Sequence, residues 1–258
     1  MLIDELYLRY MNERQQTILS AVVELYTKSA LPVGSEALLS RVHLPVSSAT
    51  VRSDMATLEA EGYLYQPHVS SGRIPTDQGY RFYIEHGMKE ELLSKEEEAQ
   101  LKKELLVLEA RNVRLSRTTA KLLSAFSGSL AVSGVVSRDE FYDFGMKELM
   151  GEPEFQELDE VCRLVEALDS IDENIDTLLA KMKDGEVKIF IGSENPIKEI
   201  SNCSMMVSPY QNADGDRGVL AIIGPKRMKY AKNKSLLEYM KRMLGGSMSV
   251  VAMFIIVQ

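Results

Sequence analysis

The sequence predicts an α+β protein in three parts, and three observations carry that expectation. Up to Gly87, short apolar-striped helices surround two brief β-leaning segments and a polar turn. Residues 88–126 hold neither Pro nor Gly and read as one long, charged helix. Residues 127–258 mix β-leaning runs with amphipathic helices, the pattern of a sheet with helices packed on it.

Composition narrows the function classes. Apolar residues make up 45% of the 258, enough for a globular chain with sizeable cores. The net charge of −8 argues against indiscriminate binding to polyanions. Up to Gly87 seven cations (Arg9, Arg14, Lys28, Arg41, Arg52, Arg73 and Arg81) face ten acidic residues. If this part meets nucleic acid, a few placed cations, doubled by a dimer, carry the electrostatics, and affinity falls steeply with salt. Cys162 and Cys203 stand alone and His43, His68 and His86 are scattered, so neither a metal site nor a cofactor is expected. Asp4 and Glu5 do not suit a secretory signal, and the run Val250–Val257 is too short for a bilayer. A cytoplasmic protein without a membrane partner is expected.

Asn12 is placed to cap a first helix whose buried side is Ile18, Val22, Leu25 and Tyr26. Pro32-Val33-Gly34 ends it, and Ser35 is placed to cap a short second helix from Glu36 to about Val42. Pro45 biases the chain before it away from helix. Ser47 then caps a third helix, with Val51, Met55 and Leu58 at i, i+4 and i+7 as its apolar stripe and Gly62 as a left-handed stop. Its opposite face offers Ser48, Ala49, Arg52, Ser53 and Ala56. Small residues let a backbone approach base edges, the Arg fork matches guanine O6 and N7, and hydroxyls bond phosphate or base edges. Tyr63–Gln66 reads as a strand, Ser70–Arg73 as a turn in which Gly72 is able to take positive φ, and Thr76-Asp77 as the start of a helix with Tyr80, Phe82 and Tyr83 packed inward. Helix, helix, helix, strand, turn, strand is the order of a winged helix-turn-helix, with Arg73 at the wing tip and the second helix lying across the phosphate backbone.

Leu101, Leu105, Leu108, Asn112, Leu115, Thr119 and Leu122 follow a 4-3 spacing, an a/d seam with one polar register residue. That suits pairing with a second copy. Leu106, Val107 and Leu123 widen the stripe, which equally suits a helix packed on its own body; both readings stay open. Beyond it, Ser127–Val136 is β-leaning, Phe141–Met150 is mixed, and Glu152–Phe155 opens a helix continued by Leu158, Val161, Leu164, Val165 and Leu168. A further helix runs from Ile171 to Met182. Strands follow at Val187–Ile191, Met205–Tyr210 and Gly218–Ile223, then a helix at Asn233–Leu244 and a final strand at Met248–Val257. Ser193-Glu194-Asn195 and Lys226-Arg227 sit near strand ends and read as a turn and a solvated pair. No nucleophile–base pair, phosphate loop or metal cluster is present, so no catalysis is expected.

Pro32–Ser35, Ser47–Arg52, Leu58–Leu64 and above all His68–Tyr83 (H-V-S-S-G-R-I-P-T-D-Q-G-Y-R-F-Y) resemble the N-terminal domain of the HrcA family, bacterial heat-inducible transcription repressors. Met150–Phe155, Ile191–Asn195, Val207–Tyr210 and Gly218–Tyr230 continue the resemblance. It implies a DNA-binding head (1–87), a connector or dimerisation helix (88–126) and a GAF-like body (127–258). It further implies a homodimer on an inverted-repeat operator of the type called CIRCE, ahead of chaperone genes, under control of heat and the GroE chaperonin. The chain is shorter than the family usually runs, and the strand-rich stretch expected between Val136 and Phe141 is largely missing, which implies a trimmed body.

The expected DNA contacts are Ser35, Ser47, Ser48, Thr50, Arg52, Ser53, Ser71 and Arg73. Two half-sites on one duplex face call for a two-fold dimer with reading helices about 34 Å or a multiple apart. The expected dimer seam is Leu101, Leu105, Leu108, Asn112 and Leu115. Two other functions compete with the repressor: a regulator whose GAF-like body senses a small molecule, and a module whose winged helix binds protein.

Overall fold

The structure is a computed structural model that describes residues 11–42, 44–109, 115–138, 140–169, 186–212 and 215–247, with 171, 175, 178, 179 and 182; the side chains of 106–109, 246 and 247 are excepted. His43, Asn112, the Leu108 side chain and the expected last strand, Met248–Val257, lie outside the described residues. The chain forms two compact units, Met1–Lys89 and Glu90–Gln258.

In the first unit, helix α1 (Glu13–Ser29) starts at Asn12, whose side chain accepts the Gln15 amide while Gln15 reaches back to the Asn12 amide, a reciprocal cap. It is followed by α2 (Ser35–Leu39), α3 (Ser48–Ala60), strands β1 (Leu64–Tyr65) and β2 (Ile74–Pro75), and α4 (Asp77–Phe82), which runs into a wider turn at Tyr83–Gly87. Ile18, Leu19, Val22, Leu38, Val51, Met55, Leu58 and Tyr80 are buried together as the core. Ser47 caps α3 by accepting the Thr50 amide at 3.2 Å, and Gly62 follows the helix at φ 85°. Strands β1 and β2 pair antiparallel, and at their loop end an antiparallel bridge ties Arg73 to Val33.

Two expectations fail locally here. Gly34, not Ser35, stands at the cap of α2, because the Ser35 hydroxyl turns inward to Ser48. Gly72 is not at positive φ. It is glycine for space: a Cβ there would lie 2.5 Å from the Val33 carbonyl oxygen and 2.7 Å from the Pro32 carbonyl carbon.

In the second unit, α5 (Lys95–Glu109) and α6 (Leu115–Ser127) precede β3 (Leu130–Val135), β4 (Glu140–Phe144), α7 (Met146–Met150), α8 (Leu158–Asp169), β5 (Lys188–Ile191), β6 (Cys203–Gln211), β7 (Arg217–Pro225) and α9 (Tyr230–Arg242). The sheet is fully antiparallel in the order β4-β3-β7-β6-β5. Strand alternation puts Leu130, Val132, Met205, Val207, Val219, Ala221 and Ile223 on one face, against Leu164 and Ala167 of α8 and Ile171, Ile175, Leu178 and Leu179. The other face carries Ser133, Ser204 and Ser208 and is covered by α6 and α9, with Ser204 Oγ 2.7 Å from the Tyr230 hydroxyl.

The single long helix expected over 88–126 is instead two helices that pack on each other. Their apolar stripe is too wide for a free rod and finds cover within the chain. Leu101 and Leu105 are both 0% exposed. Tyr239 of α9 donates to the Glu98 carbonyl at 2.8 Å, and Lys232 pairs with Glu97 at 2.7 Å. The first half of the seam is therefore covered within the chain itself, and Leu115 is half-buried. Arg227 also departs from the solvated role: it ion-pairs with Glu152 and, at 2.7 Å, with Glu154, clamping the Pro153 turn against the end of β7. Asn195 is buried, donating from Nδ2 to the carbonyls of Gly192, Ile200 and Cys203. Among the described residues, no helix is long and apolar enough to cross a membrane.

Candidate nucleic-acid interface

The outward face of α3 is built by what its inward face must do. Val51, Asp54, Met55 and Leu58 are the buried side, so Ala49, Arg52, Ser53, Ala56 and Thr57 point outward and are exposed. Asp54 is a carboxylate on an otherwise apolar stripe, and burial of such a charge calls for a partner. Arg14 of α1 supplies it through two bonds, Nε to Oδ2 at 2.7 Å and a terminal nitrogen to Oδ1 at 3.2 Å. The hydrogen bond to Asp54 holds the Arg14 pKa above its ordinary value. This fork fixes the rotation of α3 about its axis, and so fixes which residues face out. The sequence signal for it was an acid at i+3 from Val51 on the apolar stripe.

The eight expected contact residues divide by position. Arg52 and Ser53 are exposed on the outer face, and no hydrogen bond or ion pair to Arg52 is found among the described residues. Ser47 is exposed and Thr50 half-buried, and their hydroxyls lie 3.0 Å apart at the helix start. Ser48 is half-buried and its Oγ lies 2.9 Å from Ser35 Oγ, which is buried. That pair braces α2 on α3 and leaves Ser35 only 8% exposed. Ser71 closes the turn between the strands: it donates to the His68 carbonyl at 2.8 Å and accepts the His68 amide at 3.0 Å.

Arg73 is the clearest correction. It does not stand at the wing tip. Its Nε donates to Glu59 of α3 at 2.9 Å, and its side chain is only 14% exposed. Its backbone exchanges two 2.9 Å hydrogen bonds with Val33. Arg73 is thus a strut joining the ribbon to α3 and to the α1–α2 link. The tip belongs to His68, Val69 and Ser70, all exposed. Between α3 and this loop runs a groove of about 590 Å³ lined by Ser35, Arg52, Gln66, Val69, Ser71 and Arg73, among others. Arg52 and Glu36 are among its charged lining residues, and the turn contributes Ser70 as well as the internally bonded Gln66 and Ser71.

The family described as HrcA protein C terminal domain matches residues 85–233, more than half of the chain. The chain belongs to the HrcA family. Similar HrcA-family relatives span both units. The heat-inducible transcription repressor HrcA of Carboxydothermus hydrogenoformans is 26% identical, with 90% of this chain and 97% of that protein covered. The protein of the same name from Desulforamulus reducens is 27% identical, covering 91% and 96%. The first alignment runs over 332 positions, whereas 90% of 258 residues is about 232, so about 100 positions of that relative have no counterpart here. This agrees with a chain shorter than the family usually runs. A crystal structure titled as a hypothetical protein at 2.2 Å resolution superposes with a TM-score of 0.70 at 20% identity, over 92% of this chain and 97% of that one, so the HrcA-family fold recurs there.

Proposed function

We propose that this chain is a transcriptional repressor that binds double-stranded DNA through its first unit, a winged helix-turn-helix, with α3 in the major groove and the β1–β2 loop as its wing. The observation that carries the reading is the outer face of α3: Arg52 and Ser53 are exposed on the side opposite the Arg14–Asp54 fork, and Arg52 lines the groove between α3 and the β1–β2 loop. Arg52 makes the bidentate guanine contact, Ser53 and Thr50 bond base edges or phosphate, and Ser47 at the positive helix end bonds phosphate. The family resemblance supports the finer reading: a homodimer in the cytoplasm on a CIRCE-type inverted repeat ahead of chaperone genes, released by heat and restored by the GroE chaperonin. The second unit is its GAF-like body. With Leu101 and Leu105 enclosed, the dimer contact belongs to a surface other than the start of that seam.

A mobility-shift titration tests this. The full chain should retain an inverted-repeat duplex, selected from a random pool, against excess random competitor. Equal displacement by random DNA would remove the reading.

The small-molecule alternative has one observation in its favour. Thr119 Oγ1 of α6 and both amide atoms of Asn233 of α9 are buried with no hydrogen-bond partner among the described residues, and such atoms are normally satisfied by water or ligand. A metabolite-dependent change in operator affinity would favour it over control by the chaperonin.

A further inference from the structure

The withdrawal of Arg73 leaves the tip to His68, Val69 and Ser70, all exposed, and of these Val69 is the apolar one. Val69 is 99% exposed. The loop that presents it is held from within. Gln66 Nε2 donates to the Val69 carbonyl at 3.0 Å and to the Ser71 carbonyl at 2.7 Å. Ser71 closes on both backbone groups of His68, its amide bonds the His68 carbonyl at 2.9 Å, and the chain returns through Gly72 against the Val33 backbone. The backbone on both sides of Val69 is thus bonded within the turn, and Val69 lines the same groove as Arg52.

We infer that Val69 is a specificity-determining residue of the wing, which reads the shape of the minor groove flanking each half-site rather than binding phosphate by charge. This rests on the reading of α3 as the major-groove helix. An isopropyl group has no donor or acceptor, so it cannot read base edges by hydrogen bonding. Its complement is the C–H surface of the deoxyribose walls. A narrow A·T minor groove offers both walls at once, whereas guanine projects its N2 amino group into the groove floor. Apolar side chains recur in minor-groove interfaces, there as wedges between base steps; the contact inferred here is with the sugar walls of an unkinked groove.

The test is fluorescence anisotropy with the full chain and the duplex it selects, after a hydroxyl-radical footprint has located the sugars protected beside the half-site. Failure of the wild type to prefer that duplex over random DNA would sink the repressor reading itself. Given that preference, flanking A·T pairs in the protected tract are replaced by G·C or by I·C, which lacks the N2 amino group. The wild type should lose about fivefold on G·C and recover on I·C. Val69→Ser should bind about fivefold more weakly on the A·T duplex, respond little to the flank, lose the footprint there, and keep the wild-type salt dependence and melting temperature. A wild type indifferent to the flank, or a V69S variant with full affinity and unchanged flank preference, would overturn the inference.

Discussion

Substituting Gly72 by alanine tests how the wing is fixed. The added methyl would lie 2.5 Å from the Val33 carbonyl oxygen and 2.7 Å from the Pro32 carbonyl carbon. Both are backbone, so no rotamer change relieves the clash. The ribbon must lift away from the Pro32–Val33 link, breaking the two 2.9 Å bonds between Val33 and Arg73. At about 1 kcal/mol net for each bond, with some loss of the Arg73–Glu59 contact, the cost is about 2–3 kcal/mol. For a unit of this size that lowers the melting temperature by roughly 10–20 °C. Gly34→Ala is the control: a Cβ there meets nothing within 4 Å at φ −88°, so its effect should stay within about 1 kcal/mol. Thermal unfolding followed by near-ultraviolet circular dichroism reports the global change, and hydrogen exchange at the Val33 and Arg73 amides reports the local one. If G72A melts with the wild type and protects both amides equally, the bridge does not hold the wing and the reasoning is wrong.

Arg52→Ala should leave the melting temperature unchanged, cost about 1–3 kcal/mol of specific affinity and loosen base preference at the contacted position, whereas Arg73→Ala should lower stability by about 1–2 kcal/mol, a range reduced because Glu59 is 34% exposed. Equal loss on specific and random DNA for both variants would contradict this division. Leu101→Ala should destabilise the second unit by about 2–5 kcal/mol, from lost burial and the cavity left behind, while sedimentation shows the same subunit number as the wild type; dissociation without destabilisation would restore the seam as a dimer contact. Burial pushes the Cys203 thiol up to about 12 from an ordinary value of 9.0. With the folded-state pKa raised, its contribution to stability is whole below about pH 9 and is lost as pH rises through about 12. At pH 8 a thiol reagent should therefore titrate exposed Cys162 alone in the native chain and both cysteines after denaturation.

What was legible in the sequence follows the range of the forces involved. Caps and stripes are local, so Asn12, Ser47, Gly62 and the Val51–Met55–Leu58 stripe could be placed from spacing alone. Long-range pairings were not legible. Arg73 looks like a wing-tip cation in the string because nothing nearby shows that Glu59, fourteen residues earlier, turns back to meet it. Gly72 looks like a turn glycine because its need is set by Val33, 39 positions earlier in the chain, rather than by any local motif. The 4-3 leucine spacing fixes that one helical face is apolar but not what covers it. Here the chain itself covers Leu101 and Leu105, and the sheet order β4-β3-β7-β6-β5 was likewise beyond any local pattern.

The central claim is that the outer face of α3 touches bases. Placing a photoreactive amino acid at Ser53, which is exposed and bonds neither Asp54 nor the cap, tests it most directly. Irradiation with the selected inverted repeat should give crosslinks to one or two base positions in each half-site, repeated symmetrically and lost on a scrambled duplex. Crosslinks spread evenly along any DNA, or none above those from a reagent placed at exposed Glu199 of the second unit, would contradict it.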